Sequence, residues 1–102
     1  MNFTETKKSF DTVKQGEIVT LDYEFTNIGT EPLIIQETKV ECSCTTVEFP
    51  KQPIAPGQKN KITVKFNTTT VWDLQDRVVK IYSNAKNSPI KIRFKGDVKI
   101  PR

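Results

Sequence analysis

The feature that most constrains the fold is an alternation of apolar and polar residues with a period of two. The clearest run is Val19–Thr26, in which Val19, Leu21, Tyr23 and Phe25 alternate with polar residues. Successive side chains of a β-strand point to opposite faces of the sheet, so this run predicts a strand with one buried face. Six further stretches are predicted as strands: residues 10–13, 33–35, 44–49, 61–66, 78–83 and 90–95.

Turn-forming residues separate these stretches. Pro53–Gly57 combines prolines that preset φ with a glycine that completes a turn, and Asn84–Pro89 is predicted as a hairpin loop. The stretch at Leu33–Ile35 loses its alternation near Glu37, which predicts a bend there. No stretch of ten residues has helical periodicity. Seven short strands predict an all-β fold, a seven-stranded immunoglobulin-like β-sandwich of antiparallel sheets, as a single domain over residues 1–102.

The two halves of the chain have opposite charge. Residues 1–50 carry four Lys against nine Asp or Glu, whereas residues 51–102 carry twelve Lys or Arg against three Asp. If the strands at 19–26 and 61–66 are neighbours, Asp22 and Glu24 face Lys61 and Lys65 across the sheet. Part of the charge difference is then explained by cross-strand pairing.

This pairing leaves a basic set on the other sheet with fewer acidic neighbours: Lys80, Lys91, Arg93 and Lys95. Such a face attracts an anionic surface, a glycan or a phospholipid. The alternative is a solvated strand face whose lysines discourage edge-to-edge pairing. Tyr82 is the sole aromatic residue interleaved with these charges, so the pattern does not favour nucleic acid as a partner.

The chain contains no histidine, which rules out a Ser-His-Asp or Cys-His triad within it. We therefore expect no enzymatic activity and no cofactor. Cys42 and Cys44 leave three interpretations open. They are small residues that fill part of the core, or a strained disulfide that acts as a redox switch, or two thiolates that bind a soft ion such as Cu(I).

Three apolar residues stand in the predicted connection Val71-Trp72-Asp73-Leu74. Tryptophan is enriched at binding hot spots, so Trp72 and Leu74 are the candidate contact with a protein partner, whose identity and oligomeric context the sequence leaves unknown. The alternative is that Trp72 folds back as a lid over one end of the sandwich.

No apolar run approaches the length of about 18–20 residues that spans a bilayer. Residues 1–10 lack the apolar region of a signal peptide. Met1 is therefore either a native start or a start that replaces a removed export signal.

Five motifs occur in order along the chain: Phe25–Gly29, Pro32–Ile35, Cys42–Thr46, Ile54–Gly57 and Ser83–Ala85. Together they resemble the bacterial domain-of-unknown-function family 1573 over about residues 10–98, although Ser43 stands where that family usually has glycine. The family is similar to the major sperm protein and to cilium-associated immunoglobulin-like domains, and its members are often exported.

The resemblance implies a sandwich and a periplasmic, cell-envelope or extracellular location, and it assigns no activity. A cytoplasmic location stays open because the chain as written has no signal peptide. The sequence thus favours a non-catalytic structural or protein-interaction module, with a thiol–disulfide redox or copper-binding module as the alternative.

Overall fold

The computed structural model describes residues 1–41 and 43–100, which form two four-stranded β-sheets and contain no helix. The strands are β1 (Asn2–Phe3), β2 (Lys7–Lys14), β3 (Ile18–Thr26), β4 (Ile35–Val40), β5 (Thr45–Glu48), β6 (Lys59–Asn67), β7 (Asp73–Ser83) and β8 (Ile90–Lys99). The all-β sandwich is confirmed with eight strands instead of seven, because the two-residue β1 has too few residues to show an alternation.

Sheet A has the strand order β1-β3-β6-β5, and sheet B has the order β2-β8-β7-β4. All neighbouring strands are antiparallel except β2 and β8, which are parallel. The expectation of purely antiparallel sheets is therefore wrong at this pair. Because β2 and β8 lie at opposite ends of the chain, no tight hairpin forces them into opposite directions.

The core lies between the sheets and is filled by the inward positions of the alternating runs. Tyr23, Phe25, Ile62, Val64 and Phe66 of sheet A are buried, and they face Val79, Ile81, Ile92 and Phe94 of sheet B. The predicted neighbours β3 and β6 pair over their whole length, from Ile18 opposite Asn67 to Thr26 opposite Lys59.

The buried Tyr23 connects the two sheets by a polar contact. Its hydroxyl donates a hydrogen bond of 2.8 Å to the backbone oxygen of Arg93. Burial raises the pKa of the Tyr23 phenol well above its ordinary value, with a smaller contribution from Glu5. The phenol therefore stays protonated and remains a donor across the physiological range.

Two strands of sheet B carry irregularities. In β2 the register shifts between Ser9 and Thr12, and Asp11 has a φ of 57°. In β4 the register shifts between Ile35 and Glu37, which agrees with the bend that the sequence predicts there. Leu33 lies outside β4 and forms an isolated bridge with Ile54. These shifts decide which side chains of the edge strands face outward.

Candidate interaction surfaces

The connection between β6 and β7 is anchored to the body of the sandwich before it reaches Trp72. Thr68 is fully buried, and its hydroxyl donates a hydrogen bond of 2.6 Å to the Glu17 backbone oxygen and accepts one of 2.9 Å from the Gly16 backbone N–H. The Gln15 side chain donates to the Val71 backbone oxygen at 3.1 Å. The Val71 side chain packs against the core.

Trp72 follows this anchored segment and is 56% exposed, while Leu74 is 82% exposed. The Gln75 side chain donates a hydrogen bond of 2.7 Å to the Trp72 backbone oxygen. Leu74 belongs to strand β7, where the sequence predicts a connection, and it lies on the outer face opposite Asp97. A tryptophan that is more than half exposed covers little of the end of a sandwich.

Four exposed large apolar residues lie at this end, where β3 and β7 begin and β8 ends; we call them the apolar tip: Ile18, Trp72, Leu74 and Ile100. The sequence pattern missed Ile18 and Ile100. Ile18 begins an alternating strand outside its buried phase, and Ile100 lies beyond the predicted strand at 90–95.

The outer face of sheet A has balanced charges. The Lys61 ammonium lies 3.6 Å from the Asp22 carboxylate, as the sequence predicts, but Lys65 pairs with Glu48 at 3.0 Å instead of with Glu24. Thr63 donates a hydrogen bond of 2.7 Å to Asp22. This hydrogen bond, aided by Lys61, lowers the pKa of the Asp22 carboxyl below its ordinary value.

The outer face of sheet B is strongly basic. Its outward strand positions carry eight cationic residues: Lys7, Lys14, Lys39, Lys80, Lys91, Arg93, Lys95 and Lys99. Three acidic residues stand at registered positions of this face, Glu37, Asp76 and Asp97, and a fourth, Asp11 at the irregularity of β2, lines the same surface as Asp76 and Asp97. Since the whole chain has a net charge of +4, this face accounts for the excess of positive charge.

Only part of this charge is neutralised within the face. Arg93 Nε lies 3.2 Å from the Asp76 carboxylate, and Lys99 Nζ lies 2.9 Å from the Asp97 carboxylate. Lys39, Lys80 and Lys91 stand directly opposite one another on β4, β7 and β8. Among residues 1–41 and 43–100, none of these three lysines forms an ion pair within 4.0 Å.

The sequence placed Lys80, Lys91, Arg93 and Lys95 on this face but missed Lys39. The sequence predicts a bend near Glu37 after the stretch at Leu33–Ile35, and the broken alternation gives no direction for the side chains that follow. The register shift in β4 restores the alternation, which turns Lys39 outward beside Lys80.

Cys42 lies outside the described residues, so its predicted role has no structural counterpart here. Cys44 is partly buried against the core, with its Sγ 4.0 Å from the Thr45 hydroxyl oxygen, and it is disulfide-bonded. Within the described ranges, no three His, Cys, Asp or Glu side chains gather as a metal site, and no helix has the length and hydrophobicity to cross a bilayer.

Comparison with protein families gives a match over residues 1–98, to the model described as "Protein of unknown function (DUF1573)". The chain belongs to the DUF1573 family. This confirms the resemblance carried by the five sequence motifs. No curated protein sequence shows significant similarity to the chain.

Solved structures share the fold of this DUF1573 domain at low sequence identity. A protein of unknown function from Porphyromonas gingivalis W83 has a TM-score of 0.80 and 18% identity, and the match covers 91% of this chain and 44% of that one. The secreted serine protease VesC from Vibrio cholerae has a TM-score of 0.68 and 16% identity, with coverage of 95% and 23%. The ASH/PapD-like domain 7 of human CEP192 has a TM-score of 0.66 and 13% identity, with coverage of 99% and 86%.

These likenesses confirm the immunoglobulin-like sandwich. The chain spans less than half the length of the Porphyromonas gingivalis protein and less than a quarter of VesC. In both of these proteins the shared fold is therefore one part of a longer chain.

Proposed function

We propose that this DUF1573 domain is a non-catalytic interaction module of an exported or cell-envelope protein, and that it contacts a protein partner through the apolar tip. The observation that carries the proposal is the exposure of Trp72 and Leu74 on backbone that hydrogen bonds hold in place. Ordered backbone lowers the entropy that is lost on binding, and exposed tryptophan is the residue type most enriched among binding hot spots.

The position of the tip supports this assignment. Ile18, Trp72, Leu74 and Ile100 lie at one end of an elongated molecule with extents of 53 × 21 × 19 Å. Apolar residues scattered singly need no explanation, but four of them at the same end of a small domain, with Trp72 and Leu74 only two residues apart, make that end the candidate contact.

The solved structures in which this fold is part of a longer chain indicate where such an interaction surface is used. Since the fold is one part of the Porphyromonas gingivalis protein and of the secreted VesC, we place this domain beside other domains or proteins outside the cytoplasm. The export that the family resemblance implies agrees with this location. A serine protease among the neighbours does not transfer its activity, because the likeness is one of fold alone.

Substitution of the tip tests the proposal. Trp72→Ala and Leu74→Ala should each leave the melting temperature nearly unchanged and weaken binding to the protein that co-purifies with the domain from its native envelope fraction. Ile28→Ala is the matched control, because Ile28 is 67% exposed and lies in the β3–β4 connection, outside the tip. Equal loss of binding in the control, or a large loss of stability in Trp72→Ala, contradicts the proposal.

A thiol–disulfide function is the second candidate, supported by the disulfide-bonded state of Cys44. It uses Cys42 and Cys44 as a pair that is oxidised and reduced, or that binds Cu(I) when reduced. Intact mass with thiol labelling, measured with and without reductant, tests it. The candidate requires that reductant exposes two reactive thiols under mild conditions; thiols that stay unreactive throughout contradict both the redox and the copper function.

A further inference from the structure

We propose that the outer face of sheet B binds a linear anionic polysaccharide along a band of cationic side chains that crosses the strands. The band consists of Lys39, Lys80 and Lys91 in one row, with Arg93 and Lys7 in the next row. This inference does not depend on the apolar tip. Leu74 is six residues from Lys80 along β7, or about 20 Å in a strand.

The row is unfavourable for the folded protein by itself. Like charges directly opposite each other in a sheet repel, and Lys80 has one lysine on either side. The Lys39 ammonium lies 5.1 Å from the centre of the Tyr82 ring, a contact that does not neutralise its charge. A local arrangement that opposes stability is expected where the residues serve a function.

The shape of the charged region favours a linear polymer over a flat membrane surface as the ligand. Acidic residues flank the band along the strands, with Glu37 on one side and Asp76 on the other. Glu41 bounds it at β4, where its carboxylate accepts a hydrogen bond of 3.0 Å from the Val78 N–H. An anionic bilayer lying on the whole face would approach these carboxylates as well. A single chain following the row of Lys39, Lys80 and Lys91 passes between Glu37 and Asp76, and the Asp76 carboxylate is already paired with Arg93 at 3.2 Å.

The surface between the lysines indicates the chemistry of that chain. The groove is lined by four cations (Lys39, Lys80, Lys91 and Arg93), by the Glu41 carboxylate and by the apolar Val40 and Val78, so apolar contact is available between the charges. Sugar rings offer C–H surface beside their acidic groups, whereas a bare polyphosphate offers none. Nucleic acid bases require stacking platforms, and Tyr82 alone is present, partly covered by Lys39.

Binding to heparin as the probe tests the proposal, with neutral dextran and inorganic polyphosphate for comparison. The triple variant Lys39→Ala, Lys80→Ala, Lys91→Ala should bind heparin about ten- to a hundredfold more weakly near physiological salt. The slope of log affinity against log salt concentration should fall by about two to three, because three cations no longer displace counterions. The melting temperature should stay level or rise, since the repulsion is removed.

The matched control is Lys59→Ala, Lys61→Ala, Lys65→Ala, which removes the same charge from the outer face of sheet A. It should retain the heparin affinity of the unmodified protein. If both triple variants bind heparin equally weakly, net charge alone determines the affinity and the proposed band is wrong. Polyphosphate binding as tight as heparin overturns the polysaccharide class, and binding to dextran or to none of the probes overturns the proposal. Heparin binding should leave the fluorescence emission of Trp72 unchanged, because Trp72 lies in the apolar tip. Heparin binding at the band can therefore be distinguished from partner binding at the tip.

Discussion

The Phe10 ring lies directly against the backbone of Gly96. A Cβ added at Gly96 would collide with the Phe10 ring, whose Cγ would lie 2.7 Å away and whose Cδ2 and Cε2 would lie closer still. Phe10 also packs near Phe66 and Phe94, with ring centroids 5.9 and 6.4 Å apart. The Gly96→Ala substitution must therefore displace a ring that joins β2 to the core.

Two costs add in this substitution. Forcing extra volume into a packed site costs about 1–3 kcal/mol, and each disturbed aromatic pair is worth about 0.5–1.5 kcal/mol. We expect Gly96→Ala to lower the free energy of unfolding by about 2–4 kcal/mol. At about 4–5 °C per kcal/mol for a domain of this size, the melting temperature should fall by roughly 8–20 °C.

A double-mutant cycle measured by urea unfolding separates the collision from other effects of the alanine. In the Phe10→Ala background the ring is absent, so adding Gly96→Ala should cost nothing, or should stabilise by about 0.5 kcal/mol because glycine loses more backbone entropy on folding. If Gly96→Ala lowers the free energy of unfolding equally in both backgrounds, the collision with Phe10 is not the cause of the loss.

Three further predictions concern other named contacts. Thr68→Val should lower the unfolding free energy by about 1–3 kcal/mol, because it leaves the Gly16 N–H without its acceptor; urea unfolding measures this, and an unchanged midpoint contradicts it. Asp22→Asn should lower the free energy of unfolding by less than about 1 kcal/mol at neutral pH. The Thr63 hydrogen bond lowers the pKa of the Asp22 carboxyl, but this carboxyl is half exposed and solvent screens its interactions. A depressed pKa stabilises the fold above the ordinary value, so the difference from the unmodified protein should shrink as the pH falls below 3.8 and should not grow. Trp72→Ala should remove all tryptophan fluorescence, because Trp72 is the single tryptophan, while the far-ultraviolet circular dichroism stays that of a folded sandwich; loss of that signal contradicts a peripheral Trp72.

The sequence predicted those parts of the fold where alternation is local and complete. Val19–Thr26 and the stretch at 61–66 became β3 and β6 because one face of each is buried along its whole length. β2 was predicted too short because Phe10 and Val13 are three residues apart. The bulge at Asp11 inserts the extra residue that brings both side chains toward the core.

The candidate surfaces were predicted less completely, for a different physical reason. An apolar residue in a connection fits a lid and a contact site equally well, so the pattern could not decide the exposure of Trp72. The beginning of β7 was missed because its inward positions, Gln75 and Arg77, are polar and hydrogen-bond to each other at 2.8 Å. The parallel pairing of β2 and β8 depends on contacts across nearly the whole chain, which no local pattern contains.

The unequal charge of the two faces has a consequence for how the molecule moves in an electric field. The charges on the outer face of sheet A are balanced, and the outer face of sheet B holds the excess of positive charge. The domain therefore has a permanent dipole moment across its two sheets as well as a net charge. Near any negatively charged structure it experiences a torque that turns sheet B toward that structure before contact is made. Within a longer chain, the same torque would orient the domain relative to its linkers. Raising the salt concentration would screen the charges and remove this preferred orientation.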